Sequence, residues 1–81
     1  MAYTQDNLSE LDLLMLYDLS NTQKGIKVHK TAEPEKITAA QRLFEKGFIT
    51  QVDGGYLTPL GAEAAEQAQS LYTMLNAHSA E

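Results

Sequence analysis

Residues 44–61, FEKGFITQVDGGYLTPLG, limit the possible folds more than any other part of the chain. Gly47 is typical of the left-handed residue that ends a helix. The Asp-Gly and Gly-Gly steps at 53–55 favour a tight turn between two short strands. Thr58 followed by Pro59 is typical of the cap and first turn of a new helix. This stretch therefore predicts a helix, a β-hairpin and a second helix in direct succession.

The strands of the hairpin are expected at 48–52 and 56–58. An earlier strand is expected at 26–29, where apolar and polar residues alternate. The helix before the hairpin is predicted to begin at Pro34, which suits a first helical position, and to end at Lys46. Its buried side is predicted to consist of Ile37, Ala40, Leu43 and Phe44.

The first helix is predicted to begin near Leu8, because Asn7 followed by Glu10 matches a capping box, and to end after Ser20. One apolar stripe at helical spacing consists of Leu8, Leu11, Met15 and Leu19. The corresponding stripe of the last helix consists of Leu60, Ala64, Ala68, Leu71 and Leu75.

Together these elements predict a mainly α protein with a small β-hairpin, an α+β fold ordered helix–strand–helix–strand–strand–helix. Because 81 residues suffice for one compact core, the sequence predicts a single domain, 1–81, with frayed ends at 1–6 and 77–81. No apolar segment approaches the ~20 residues of a membrane span. The first residues also lack the basic start and apolar run of a signal peptide, so a cytoplasmic protein without a membrane partner is expected.

The residue types that carry catalysis and metal binding are sparse. The chain has no cysteine, which excludes disulfides and thiolate zinc sites. Its two histidines, His29 and His78, stand far apart in the sequence, and the carboxylates Glu63 and Glu66 are typical of a solvated helix face. The sequence therefore predicts no enzymatic activity, no metal and no cofactor.

Charge is segregated along the chain, although its net value is −5. All six basic residues fall within residues 24–46, where three glutamates oppose them and leave +3, while each flank carries four acids and no base. DNA readers need cations for phosphates and polar side chains for base edges. The candidate nucleic-acid-binding residues are Lys24, Lys27, Lys30, Thr38, Gln41, Arg42 and Lys46. The alternative is a solvated surface, because the hairpin tip has no Arg or Lys and carries Asp53.

The first and last helices have more apolar residues than one buried face requires. In so small a domain, a second copy of the chain is the expected cover for the surplus. The candidate homodimer interface consists of Leu13, Leu16, Tyr17, Leu71 and Leu75. The alternative is that the last helix covers the first within one chain.

The segments LFEKGFI, DGGY and LTPLGAEAAE resemble the closing half of bacterial winged-helix regulators. The resemblance covers residues 34–75 well and 8–29 in outline, and it implies a minimal winged helix with a regulatory, DNA-binding role. The segments TQKGIKVH, AAQRLFEKG, ITQVDGGYLTPLG and EAAEQAQ resemble a small family of uncharacterised proteobacterial proteins labelled as related to inhibitors of DNA-binding proteins.

One departure from the winged-helix pattern weakens the DNA hypothesis. A winged helix usually has a separate helix before the recognition helix, and this chain leaves only residues 29–33 for it. Without that support the recognition helix can meet DNA at a different angle or not dock at all. The sequence thus predicts a winged-helix regulator binding DNA through residues 24–46, or alternatively a non-enzymatic module that contacts itself or an unidentified protein partner.

Overall fold

The computed structural model describes residues 2–21 and 23–77. Within them, three helices and three strands follow one another along the chain. They are α1 (Gln5–Leu14), β1 (Ile26–Lys27), α2 (Pro34–Glu45), β2 (Ile49–Gln51), β3 (Gly54–Leu57) and α3 (Pro59–Asn76). This α+β fold and its helix–strand–helix–strand–strand–helix order confirm the prediction from sequence. Of the residues predicted to fray, residues 1 and 78–81 lie outside the described part of the chain, as does the candidate histidine His78.

The strands form a three-stranded antiparallel sheet in the order β1-β3-β2. The hairpin turn between β2 and β3 consists of residues 52–53, so the predicted turn at 53–55 was wrong. Gly54 and Gly55 instead begin β3, where both have positive φ angles of 126° and 73°. The pairing register of β2 against β3 shifts at this point. The glycines therefore shape an irregular strand start rather than the turn itself.

Helix α1 begins earlier than predicted because Thr4 caps it. The Thr4 hydroxyl accepts a hydrogen bond from the Asn7 backbone N–H (3.1 Å), and Asn7 Oδ1 accepts one from the Thr4 backbone N–H (3.2 Å). The predicted capping box of Asn7 and Glu10 was wrong, although its residue Asn7 does take part in the true one. α1 ends at Leu14, well before the predicted end at Ser20.

The hydrophobic core lies between the three helices and the sheet. It consists of Leu13, Leu14, Tyr17, Val28, Ala39, Ala40, Leu43, Ile49, Ala65 and Ala68. The predicted stripe of α1 was wrong, because Leu8 and Leu19 are exposed whereas Leu13 and Tyr17 are buried. The Tyr17 hydroxyl is buried without a hydrogen-bond partner among the described residues, and burial raises the pKa of Tyr17 to about 12.

Helix α2 ends as the sequence predicts. Gly47, with φ 85°, follows it, and Pro34 occupies its first turn. The core-facing side holds Ala39, Ala40 and Leu43, with Ile37 partly buried. Phe44 was predicted to be buried but is 42% exposed, because the core-facing side of α2 is formed by Ala39, Ala40 and Leu43.

Helix α3 approaches the hairpin closely through Gly61. Thr58 caps the helix by accepting a hydrogen bond from the Gly61 N–H (3.0 Å), and its own hydroxyl donates to the Gly47 carbonyl (2.6 Å). A Cβ atom at Gly61 would overlap with the carbonyl oxygen of Phe48. The buried side of α3 therefore consists of Gly61, Ala65 and Ala68, and the predicted stripe was wrong for Leu60, Leu71 and Leu75, which are exposed.

Gln69 joins α3 to the end of α1. Its Nε2 atom donates hydrogen bonds to the carbonyl oxygens of Leu14 (3.1 Å) and Tyr17 (2.8 Å). Leu14 is the last residue of α1, and its carbonyl also accepts a long hydrogen bond from the Tyr17 backbone N–H (3.5 Å), while Tyr17 lies beyond the helix. The contact therefore satisfies the end of α1 from another element.

Within the described residues, no helix is both long enough and apolar enough to cross a membrane.

Candidate functional site

Arg42 and Lys46, two of the candidate DNA contacts on α2, both bind Glu10 on α1. Arg42 Nε donates to Glu10 Oε2 at 2.7 Å, and Lys46 Nζ lies 3.0 and 2.9 Å from the two carboxylate oxygens. Glu10 is only 7% exposed. Arg42 also donates from Nη2 to the backbone oxygen of Asp6 at 3.2 Å. These two cations therefore hold α1 against α2, and their positive charge is largely neutralised by Glu10 of the same chain.

The Glu10 carboxylate has a lowered pKa, which follows from two opposing effects. Burial by itself raises the pKa, because it removes water from the charged form. Hydrogen bonds from Arg42, Lys46 and Asn7, with the nearby Lys46 charge, outweigh burial and bring the pKa below its ordinary 4.5. The carboxylate is therefore ionised and paired at neutral pH.

This lowered pKa predicts an acid-sensitive contribution to stability. A depressed carboxylate pKa stabilises the folded state above the unfolded pKa near 4.5, and the contribution is lost as pH falls through the folded value. We expect the difference in unfolding free energy between the wild type and Glu10→Gln to be largest at neutral pH and to shrink below about pH 4.5. Urea unfolding followed by far-UV circular dichroism at a series of pH values measures it. A difference that stays constant with pH would contradict the assignment.

The remaining cations lie in separate neighbourhoods. Lys27 and Lys30 line one groove together with Gln41. Lys24 lines a different, smaller pocket with Asp18. Lys36, which the sequence also placed in the basic segment, lies beside acids, in a depression lined by Asp12, Glu33 and Glu35. Segregation of charge along the sequence therefore does not become one broad cationic surface.

Two further contacts reduce what the candidate residues offer to a nucleic acid. Lys27 Nζ lies 3.7 Å from Asp53 Oδ2, in a solvent-exposed pair. The Thr38 hydroxyl donates to the Pro34 carbonyl at 2.7 Å, so its proton is already used within α2. Gln41 and Lys30 are exposed, and neither makes a side-chain hydrogen bond or ion pair with another described residue.

The candidate dimer interface is divided by the fold. Leu13 and Tyr17, at 1% and 4% exposure, belong to the core of one chain, so they cannot form an interface in the folded protein. Their prediction was wrong because both side chains pack into the hydrophobic core of their own chain. Leu16, Leu71 and Leu75 are exposed and remain available.

An apolar strip runs along the outer side of α3, and we call it the α3 strip. It consists of Leu60, Ala64, Gln67, Leu71 and Met74, spaced four, three, four and three residues apart, with Gln67 as its one polar residue. Ala64 is partly buried, and the other four side chains are exposed. Leu75 lies beside the strip with 75% of its surface exposed.

Sequence reasoning missed Leu60 and Met74 as parts of an exposed surface. The alternating spacing of four and three is the signal that could have found them, since it is the spacing of a coiled-coil seam. Residues 67–77 of the same helix carry no charged side chain. The free end of α3 is therefore an uncharged apolar surface.

Among residues 2–21 and 23–77, no three His, Cys, Asp or Glu side chains come close enough to hold a metal ion. The polar side chains of Glu10, Arg42 and Lys46, which we call the Glu10 cluster, are instead engaged in a structural contact.

Comparison with known proteins places the chain in a family without supplying an activity. No curated protein and no solved structure is significantly similar to it. Residues 1–76 match the family of unknown function DUF5669, from the start of the chain to the end of α3. The chain therefore belongs to the family DUF5669.

Proposed function

We propose that this protein is a small, non-enzymatic interaction module that forms a homodimer through the α3 strip. The observation that carries the proposal is the exposure of an apolar, uncharged surface at heptad spacing on the longest helix. Large apolar side chains that stay exposed in a folded chain mark contact surfaces when they lie together. Here they lie on one helix side, at the spacing with which two helices pack.

A second copy of the chain is the occupant that best fits this surface. The strip from Leu60 to Met74 extends about 21 Å along the helix axis, at 1.5 Å per residue. If a fully exposed large side chain offers roughly 200 Å², two copies of the strip and Leu75 bury on the order of 1,000 Å² between them. That area is at the lower limit of specific interfaces, so a dimer with micromolar affinity is expected.

Charge favours an antiparallel arrangement of the two helices. Glu63 and Glu66 lie in the first half of α3, and the second half is uncharged. An antiparallel pair sets the acidic half of one helix beside the uncharged half of the other. A parallel pair would bring the two Glu63 carboxylates together, which costs free energy.

DNA binding through residues 24–46 has less support from the contacts. The pairing of Arg42 and Lys46 with Glu10 leaves few cations of α2 for phosphates. The hairpin tip carries Asp53 and no basic residue. We therefore place self-association ahead of DNA binding, and the winged-helix and inhibitor-related resemblances remain predictions.

The dimer is tested by sedimentation over a concentration series from micromolar to millimolar. We expect the mass to rise from 8.9 kDa for one chain toward twice that value. The double variant Leu71→Glu, Met74→Glu is expected to raise the dissociation constant at least about tenfold, because it buries charge in an apolar contact.

Thr73→Glu is the control, because it adds one such charge to the same helix on the side away from the strip. It is expected to leave the dissociation constant within about twofold, well under the tenfold that 1.4 kcal/mol produces. Circular dichroism of each variant confirms that the domain is folded. A wild-type mass of one chain throughout the series would rule out the proposal.

A further inference from the structure

The groove lined by Lys27 and Lys30 has features of a small-molecule site that the dimer proposal does not use. Its volume is about 640 Å³, within the range of roughly 300–1,000 Å³ that ligand pockets occupy. It lies between α2 on one side and the segment from β1 to the start of α2 on the other, with the hairpin turn at its edge. The residues that line it are Lys27, Val28, His29, Lys30, Thr31, Ile37, Ala40, Gln41, Val52 and Asp53.

The floor of the groove is apolar. Val28 and Ala40, 8% and 0% exposed, are core residues beneath it, and Ile37 is partly buried and contributes more of the accessible surface. Val52, at the hairpin turn, stands at the edge with half of its surface exposed. An apolar ligand segment placed here would cover these side chains and gain about 25 cal/mol for each Å² removed from water.

The rim of the groove is cationic. Two ammonium groups, Lys27 and Lys30, oppose one carboxylate, Asp53. The Lys27 and Asp53 side chains are 67% and 40% exposed at a separation of 3.7 Å, and such a pair contributes little to stability. Lys30 forms no ion pair within the described residues. A ligand carboxylate can therefore bind both amines without displacing a strong contact.

We propose that this groove binds a small amphiphilic carboxylate, with its acid group near Lys27 and Lys30 and its apolar tail over Val28, Ile37 and Val52. A nucleic-acid backbone would also pair with the two lysines, but it has no apolar group to cover the floor of the groove. A wholly apolar ligand would leave the two amines unused.

Titration of the ¹⁵N-labelled protein with octanoate, followed by amide chemical shifts, tests the proposal. We expect saturable shifts concentrated at Val28, Ala40, Gln41 and Val52. Octylamine, which has the same tail and the opposite charge, is expected to bind at least about tenfold more weakly, since like charges repel.

Lysine variants of matched charge locate the acid group. The pair Lys27→Gln, Lys30→Gln is expected to weaken octanoate binding at least about fivefold, whereas Lys24→Gln, Lys36→Gln removes the same charge outside the groove and leaves affinity unchanged. Both pairs are exposed, so both are expected to fold.

Four outcomes would overturn the proposal. They are the absence of saturation, equal binding of octylamine, equal weakening by the two lysine pairs, and shifts concentrated on the α3 strip. A short DNA duplex that shifts the groove amides more strongly than octanoate at low salt would assign the groove to nucleic acid and likewise overturn it.

Discussion

Replacing Gly61 with alanine is expected to lower the free energy of unfolding by about 3 kcal/mol, at the upper end for overpacking a filled site. Helix propensity alone predicts the opposite sign, because alanine is about 1 kcal/mol better than glycine inside a helix. The added methyl group would overlap with the carbonyl oxygen of Phe48, which is backbone and cannot move like a side-chain end. Steric overlap between α3 and the start of the hairpin therefore outweighs propensity.

Thermal unfolding measures this effect, and a midpoint about 15 °C lower corresponds to 3 kcal/mol in a domain of this size. Gly47→Ala is the matched control. A Cβ at Gly47 meets no atom within 4 Å, so only its positive φ costs energy, about 1 kcal/mol. Equal losses for the two variants, or a stabilised Gly61→Ala, would contradict close packing at Gly61.

Replacing Arg42 with alanine is expected to cost about 2 kcal/mol, because the Glu10 carboxylate keeps its burial and loses its shortest hydrogen bond. This loss of stability is smaller than that from breaking a fully buried pair, because Lys46 stays bound to Glu10 and is about half exposed. A variant of Arg42 designed to test DNA binding would therefore also weaken the fold.

Urea unfolding of Arg42→Ala beside Lys36→Ala measures the cost. Lys36 is an exposed lysine of the same helix that forms no ion pair within the described residues, so we expect its variant to change stability by less than about 0.5 kcal/mol. Adding Glu10→Leu to Arg42→Ala removes the buried carboxylate that has lost Arg42, and we expect at least half of the loss to be recovered. A similar small effect of both single variants would show that the Glu10 cluster contributes nothing.

The parts of the fold that sequence predicted correctly depend on local chemistry. Pro34 and Pro59 in first turns, Thr58 as a cap and Gly47 after α2 each act through atoms a few residues away. Their effect on the backbone can therefore be predicted from the residues next to them in the sequence. The order of the elements followed from these signals. The position of the hairpin turn was not predicted correctly, because β3 pairs with β1 as well as with β2 and both pairings influence its register.

The buried side of α1 was missed because a charged residue stands in it. Glu10, Leu13, Leu14 and Tyr17 follow the spacing of one helix face, and all four are buried. An acid at the first position hides this pattern, because its partners Arg42 and Lys46 come from a distant part of the chain. Only the packing of α1 on α2 makes Glu10 a core-facing residue.

The contacts of the candidate nucleic-acid residues could not be predicted from sequence for a related reason. Residues 24–46 carry every cation of the chain, but the fold distributes them over β1, α2 and the loops beside them. The net charge of a segment does not show which acidic residues from other parts of the chain pack against it. Lys27 and Lys30 meet at one groove, whereas Arg42 and Lys46 are neutralised by α1.

The two hydrogen bonds from Gln69 have a practical consequence for engineering. They bind the carbonyls of Leu14 and Tyr17 to α3. This contact between the first and last helices therefore involves no residue of the connection from Asp18 to β1. Residues 18–21 are exposed, and their hydrogen bonds are local: the Ser20 N–H and hydroxyl donate to Asp18, and Asn21 accepts from the N–H groups of Gln23 and Lys24. A reporter peptide or fluorophore inserted into this connection is therefore expected to lengthen the loop and to leave the contact between α1 and α3 unchanged.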